Sequence, residues 1–591
     1  MNNKMRAVVA GACLMLSAAA PSYAAPANAV NAADAQFKSI YTQEWKWRIS
    51  QQLEDGEDDD DSGVTPNLPH VDVATQQART QYWQGVLKKL DGVPQAKLSA
   101  PERINFLVYR SQIAALVDAQ RFREFEKPLN ADSAFWTNMT YTARRAFTKP
   151  AEYRAYLKQL ADMPRYFDEE TANMKAGLAR GFTPPKVTLV GRDSSLTSVT
   201  EAKTPEDTVF YQPFKQMLAT VPAAEQAQMR AEAVKLIREV VQPSYAKLLK
   251  FMREEYVPHA REALAAESLP EGKAYYQSKI VEFTTTSMTA EQIHQIGLSE
   301  MAKIRAEMHD VIKQTGFEGD LPAFLQFLRT DPRFYAKTPE ELLMRAAWIS
   351  KKFDGKVAQY FGYLPRRRFA ITPVPEDQAP FYTSGRGGPG VYLVNTYNLP
   401  SRALYSLPAL TLHESAPGHA FQMPVALEQK NRPKFRNAYI SAFGEGWALY
   451  SERLGTEMGI YETPYETFGM LSYQAWRASR LVVDTGIHAK GWTRAQAQAY
   501  LHDNTALSDH EIETEVDRYI SWPGQALSYY LGEMAIIEAR KKAEAALGPK
   551  FDIRNFHDTV LQLGSVPLPV LQARIDTFIA EGGKSPYPHL D

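Results

Sequence analysis

A single cysteine occurs in 591 residues, and it stands at position 13, in the segment that reads least like part of a folded domain. MNNKMRAVVAGACLMLSAAAPSYAA sets Lys4 and Arg6 before an apolar run over residues 7–20, then Ser22-Tyr23-Ala24 with small residues flanking a cut. The run is too short to span a bilayer. Residues 1–24 are therefore expected to be a cleaved secretory signal, and the protein periplasmic or secreted with no membrane span after cleavage. A lipoprotein anchor would need Cys13 at the cut, yet half of the apolar run follows it. An exported chain without cysteine has no disulfides, thiolate ligands or cysteine nucleophile. Packing must hold the fold, and histidine and carboxylate must hold any transition metal.

The length demands more than one core or one large helical architecture. Apolar residues make up 45% and charged residues 23%, the balance of a folded globular protein. A formal net charge of -1 and the lack of a basic stripe argue against nucleic acid as a partner. Residues 54–63 (EDGEDDDDSG) read as a solvated acidic loop, since the ligand spacing of a calcium loop is absent.

Amphipathic helical patterning covers most of residues 75–182, and residues 184–200 interrupt it as a loop or short strand. Residues 225–264 are periodic again, with Pro243 placed to kink or split the helix. Thr289-Ala290-Glu291-Gln292 has the form of a capping box. Strand-like sequence is confined to residues 368–372 and 390–395, on either side of SGRGGPG. The fold class expected is mainly α, with a small β-sheet just upstream of a histidine motif. An N-terminal helical region over residues 25–280 and a second region over 281–591 are expected to form one continuous fold around a cleft. No repeat of fixed period is present, and nothing in the sequence sets an oligomeric state.

The histidine motif is TLHESAPGHAFQ, residues 411–422. His413-Glu414 opens as a zinc-peptidase helix does, but Pro417 occupies the place of the second histidine, and the next is His419. In a regular helix an offset of four leaves two side chains ~40° apart, whereas six leaves ~240° and ~9 Å of axial rise. His413 and His419 can share a metal only if the helix breaks. Pro417 has no N–H for the carbonyl of His413 and drives Ala416 from the α region, and Gly418 permits unusual backbone angles. A bulge or break at residues 416–418 is thus predicted to bring His419 back toward His413.

The motif with His413, Glu414, Pro417, Gly418, His419 and Gln422 is similar to the signature of the bacterial domain-of-unknown-function family 885, placed among gluzincin-type metallopeptidases. Residues 444–452 (GEGWALYSE), 480–488 (RLVVDTGIH) and 522–529 (WPGQALSY) resemble further blocks, and the likeness is strongest over residues 390–532. The resemblance implies a secreted zinc peptidase, with His413, His419 and a glutamate from a following helix as metal ligands and one position left for water. Glu445 is the implied third ligand. Glu452, seven residues on and on the same helical face, is its rival or the orienter of a ligand. Glu414 is implied as general base. Tyr529 and His488 are candidate donors to the oxyanion, and Asp484 a candidate to orient a ligand histidine or His488. Short peptides are the implied substrates.

GRGGPG over residues 385–390 satisfies the letters of a dinucleotide fingerprint, but strand sequence follows it where a helix is required. It reads instead as a turn leading to an edge strand, and the gluzincin resemblance implies that this strand pairs with substrate backbone, with Tyr382 and Asn395 near the bound peptide. Trp447 and Tyr450 read as packing residues, and His502 and His510 as surface or structural. Arg518 and Arg386 are available for a terminal carboxylate. No G-x-S-x-G elbow supports a serine hydrolase. The alternative is a catalytically inactive helical peptide-binding protein of the same fold.

Overall fold

A computed structural model describes residues 31–53, 64–131, 133–376, 379–430 and 432–588. The signal segment and the acidic run 54–63 lie outside them. No helix among the described residues is long and apolar enough to cross a membrane.

Helices carry nearly all of the chain, and their buried faces sort into two cores. One gathers Leu129, Trp136, Tyr156, Met163, Phe210, Tyr245 and Tyr256. The other draws its members from Ala266 to Phe578 and, with them, from the first helices of the chain. Ala32–Ser50, Val73–Asp91 and Ala100–Phe122 bury Phe37, Trp83, Phe106 and Tyr109 in this second core. Tyr41 and Tyr109 meet Phe435 at 5.3 and 4.8 Å between ring centroids. The first helices thus share a core with the C-terminal half of the chain. Periodicity tells that a helix buries one face, not which distant segment covers it.

Two local expectations also change. Residues 184–200 form a 3-10 turn, Lys186–Leu189, and a short helix, Ser194–Thr200, rather than a strand. Pro243 does not split its helix, because a π turn over Ile237–Val241 precedes it and its wider ladder takes up the ring. The capping box forms as read. Thr289 N donates to Gln292 Oε1 at 2.9 Å, Gln292 N donates to Thr289 Oγ1 at 3.3 Å, and the helix Ala290–Thr315 follows.

The sheet has three strands, β1 (Ala370–Pro373), β2 (Gly385–Gly388) and β3 (Val391–Val394), in the order β1-β3-β2. β1 runs parallel to β3, and β2 antiparallel with Gly387 opposite Tyr392. The glycine-rich stretch is therefore the edge strand itself, not the turn before it. It lies against the helix Leu407–Glu414 that ends the first half of the histidine motif.

Candidate metal centre

Every residue of Leu407–Glu414 before Glu414 is buried, so this helix is core on all sides. It stops at Glu414, with Ser415 at φ -96 and ψ -110, and a second helix, His419–Leu427, begins five residues later. Gly418 N donates to the carbonyl of Leu412 at 3.0 Å across the turn. A Cβ on Gly418 would lie 1.8 Å from the carbonyl oxygen of His413, so only glycine passes here. Trp447 Nε1 donates to the carbonyl of Pro417 at 2.8 Å and pins the turn. The six-residue offset thus becomes a contact, with the imidazoles of His413 and His419 4.9 Å apart and nearly perpendicular.

The helix Ser441–Glu457 crosses beneath. Glu445 Oε2 stands 3.4 Å from His413 Nε2 and 3.3 Å from His419 Nε2. Glu452 Oε1 lies 2.7 Å from the other nitrogen of His413, Nδ1. Two helical turns, ~10.5 Å of rise, separate the two carboxylates, and one imidazole bridges them. Glu445 faces the nitrogens of both rings, while Glu452 orients one ring from behind.

Electrostatics mark the spot as a seat for positive charge. Burial disfavours a charged His413, but hydrogen bonds to Glu445 and Glu452 and the charge of Glu414 outweigh it and raise its pKa to about 10. Burial likewise pushes Glu445 up, and His419 and His413 overcome this and hold it well below the carboxylate range. The donor set fits zinc, since two imidazole nitrogens and one carboxylate oxygen are the ligand types of open catalytic sites. Ligands at ~2.0–2.1 Å around a tetrahedral ion stand about 3.4 Å from one another, the spacing of these atoms. His419 Nδ1 is buried with no hydrogen-bond partner, and His413, His419 and Glu445 converge within 4.8 Å. The exposed group His70, Asp72 and Glu169 is different: Arg165 Nη1 already reaches His70 and Glu169 at 3.1 and 2.9 Å.

Glu414 stands beside the cluster, and its Oε2 accepts the Gly387 N–H of β2 at 2.6 Å. A Cβ on Gly387 would lie 1.7 Å from the Glu414 carbonyl oxygen. Gly387 of β2 therefore serves close approach of the strand to the motif helix. Tyr529 stacks on His413 with ring centroids 6.5 Å apart, and its hydroxyl accepts from Arg518 at 3.2 Å. Tyr382 lines the cleft with Arg386 over its ring at 5.2 Å.

Three of the candidate residues lie elsewhere. His488 is not brought to the centre: its Nδ1 accepts from Ala266 N at 3.0 Å and its Nε2 donates to the Tyr519 carbonyl at 2.9 Å. Asp484 orients neither a ligand histidine nor His488, because it accepts from Tyr276 Oη at 2.6 Å and from Gly524 N at 3.2 Å. Asn395 is buried below the cleft, where its Nδ2 donates to the carbonyls of Ala379, Tyr382 and Thr383 and holds that loop in shape. Position within a matching block carries no information on which way a side chain points. Conversely, Tyr439 escaped notice. Its ring faces the cleft with 44% exposure, and its hydroxyl turns in to Glu445. It precedes the carboxylate helix in a loop, where no periodicity singles it out.

Burial also sets a pH dependence. His488 and His557 are pushed down to about 3 by desolvation. Their folded pKa values lie below the unfolded value of ~6.5, so the stability they contribute is present above about pH 6.5 and is lost as pH falls toward 3. The urea midpoint is expected to fall between pH 7 and pH 4, and His488→Gln to reduce that fall; a midpoint constant over the range would exclude this account.

The cleft encloses about 1930 Å³ and is lined by His413, Glu414 and Glu445, by Trp136 of the smaller core, and by the exposed Tyr141 and Val190. Fold and site together define a two-lobed helical protein with a histidine–histidine–glutamate cluster in its cleft. Residues 55–575 match the family described as bacterial protein of unknown function (DUF885), and the chain belongs to that family. No curated protein matches it. Among solved structures, a "putative lipoprotein" from Colwellia psychrerythraea superposes with a TM-score of 0.85 at 26% identity, covering 93% of this chain and 100% of that one. A "putative lipoprotein of unknown function" from Shewanella oneidensis has a TM-score of 0.66 at 19% identity, covering 91% and 99%, and shares the fold.

Proposed function

We propose that the protein is an exported, gluzincin-like zinc peptidase that hydrolyses amide bonds in short peptides. The observation that carries this reading is the pair of distances, 3.4 and 3.3 Å, from one Glu445 oxygen to Nε2 of His413 and of His419, with Glu414 alongside in an open cleft. His413, His419 and Glu445 would hold the ion, and Glu452 fixes the tautomer and direction of the His413 ring. Zinc held there supplies Lewis acidity to the amide carbonyl and to the attacking water. Glu414 takes the proton of that water and returns it to the departing amine. Gly387 N–H steadies one oxygen of Glu414 and leaves the other to move the proton. Tyr529, at the face of His413, and Tyr439, at Glu445, are the phenols that would donate to the developing oxyanion. The edge strand β2 offers its backbone to a peptide by strand addition, with Tyr382 three residues before it in the cleft wall. The signal-like leader and the two similar structures, both described as lipoproteins, support an extracytoplasmic location.

Elemental analysis paired with peptide cleavage tests the reading. One zinc per chain is expected, with cleavage lost on chelation and restored by zinc. Metal-free protein whose cleavage is untouched by His413→Ala would end it.

A further inference from the structure

We infer that Arg480 and Arg518, with Arg477 beside them, form a wall of the cleft that receives the C-terminal carboxylate of a peptide substrate; this rests on the peptidase reading above. The three guanidinium groups stand beside Glu515 and Glu452. Glu515 is shared by Arg480 Nη2 at 2.9 Å and Arg518 Nη1 at 3.2 Å. Glu452 lies 3.5 Å from Arg477 Nη2 but is already held at 2.7 Å by His413.

Arg480 Nη1 and both Nε and Nη1 of Arg477 are buried with no partner, on side chains 2% and 4% exposed. Buried guanidinium N–H groups left unpaired are costly, and a carboxylate is the group whose two oxygens suit their fork. Trp476 holds both groups in place, at 4.0 Å from Arg477 and 4.5 Å from Arg480. Arg518, with 18% side-chain exposure, is the member that reaches the open cleft.

Position selects the kind of carboxylate. The ring of Tyr529 lies 4.2 Å from the Arg480 guanidinium and is stacked 6.5 Å from the His413 imidazole. One aromatic ring thus separates the wall from the candidate metal centre. An anion bound there sits close to the cleaved amide, as the main-chain terminus of the leaving residue does. An acidic side chain offers the same chemistry from a neighbouring position, and the test separates the two.

One short peptide is compared as its free acid, as its C-terminal amide, and as an amide with glutamate next to the end. Cleavage is measured on zinc-loaded protein and binding on the Glu414→Gln protein. The free acid is expected to be cut near its end and to exceed the plain amide at least about tenfold in kcat/KM and in affinity. Arg480→Met and Arg518→Met should bring that ratio toward one; if they do not fold, the ratio for the unsubstituted protein decides. Equal behaviour of all three peptides overturns the wall, and a glutamate amide equal to the free acid overturns the terminal assignment. If no peptide is cleaved, the peptidase reading falls, while the binding comparison still decides the wall.

Discussion

Glu414→Gln is expected to lower peptide hydrolysis by roughly a hundred- to ten-thousandfold, the usual share of a general base, while zinc content stays at one per chain. The substitution keeps the shape of the side chain, and its amide oxygen can still accept the Gly387 N–H that Glu414 Oε2 accepts at 2.6 Å. What it removes is the capacity to take a proton. The three converging side chains, His413, His419 and Glu445, are untouched. Glu445→Gln should behave differently, losing metal and activity together, because it alters the carboxylate that both Nε2 atoms face. Hydrolysis by the Glu414→Gln protein at the unsubstituted rate would assign the base elsewhere. Peptide binding with no hydrolysis in either form would favour the inactive peptide-binding alternative.

The second large effect is expected at Gly418. A methyl group there would meet the carbonyl oxygens of His413 at 1.8 Å and Leu412 at 2.5 Å, both backbone. Neither can move without opening the turn that returns His419 to His413. Gly418→Ala should therefore cost about 3 kcal/mol or more, at the upper end for overpacked sites, and should abolish zinc binding. Gly387→Ala pushes β2 off the motif helix through the Glu414 carbonyl oxygen at 1.7 Å, whereas Gly388→Ala, with nothing within 4 Å, should change stability by less than about 0.5 kcal/mol. Denaturant unfolding with zinc analysis of the three variants checks this. A Gly418→Ala protein that binds zinc and unfolds normally would falsify the account of the turn.

Much of the centre was legible before any coordinates because its chemistry is local in sequence. Pro417 and Gly418 announced a break between two histidines, and the break is there. The helix carrying Glu445 and Glu452 was equally plain, but not the division of labour between them. That division depends on which nitrogen of His413 each carboxylate meets. Likewise, His488 and Asp484 share a helix that spans Pro464–Lys490, yet they point into the packing around Tyr276 and Tyr519. A residue's block says nothing of its azimuth once the neighbouring helix is unknown.

Helical character, the capping box at Thr289 and the mandatory break at Pro417 belong to the sequence alone, because steric limits and backbone hydrogen bonds act within a few residues. The union of the first helices with the last ones, the role of the glycines as a strand laid on a helix, and the ring of arginines around Tyr529 were decided only by tertiary contacts. Those contacts join residues up to several hundred positions apart, and no short-range rule reaches that far.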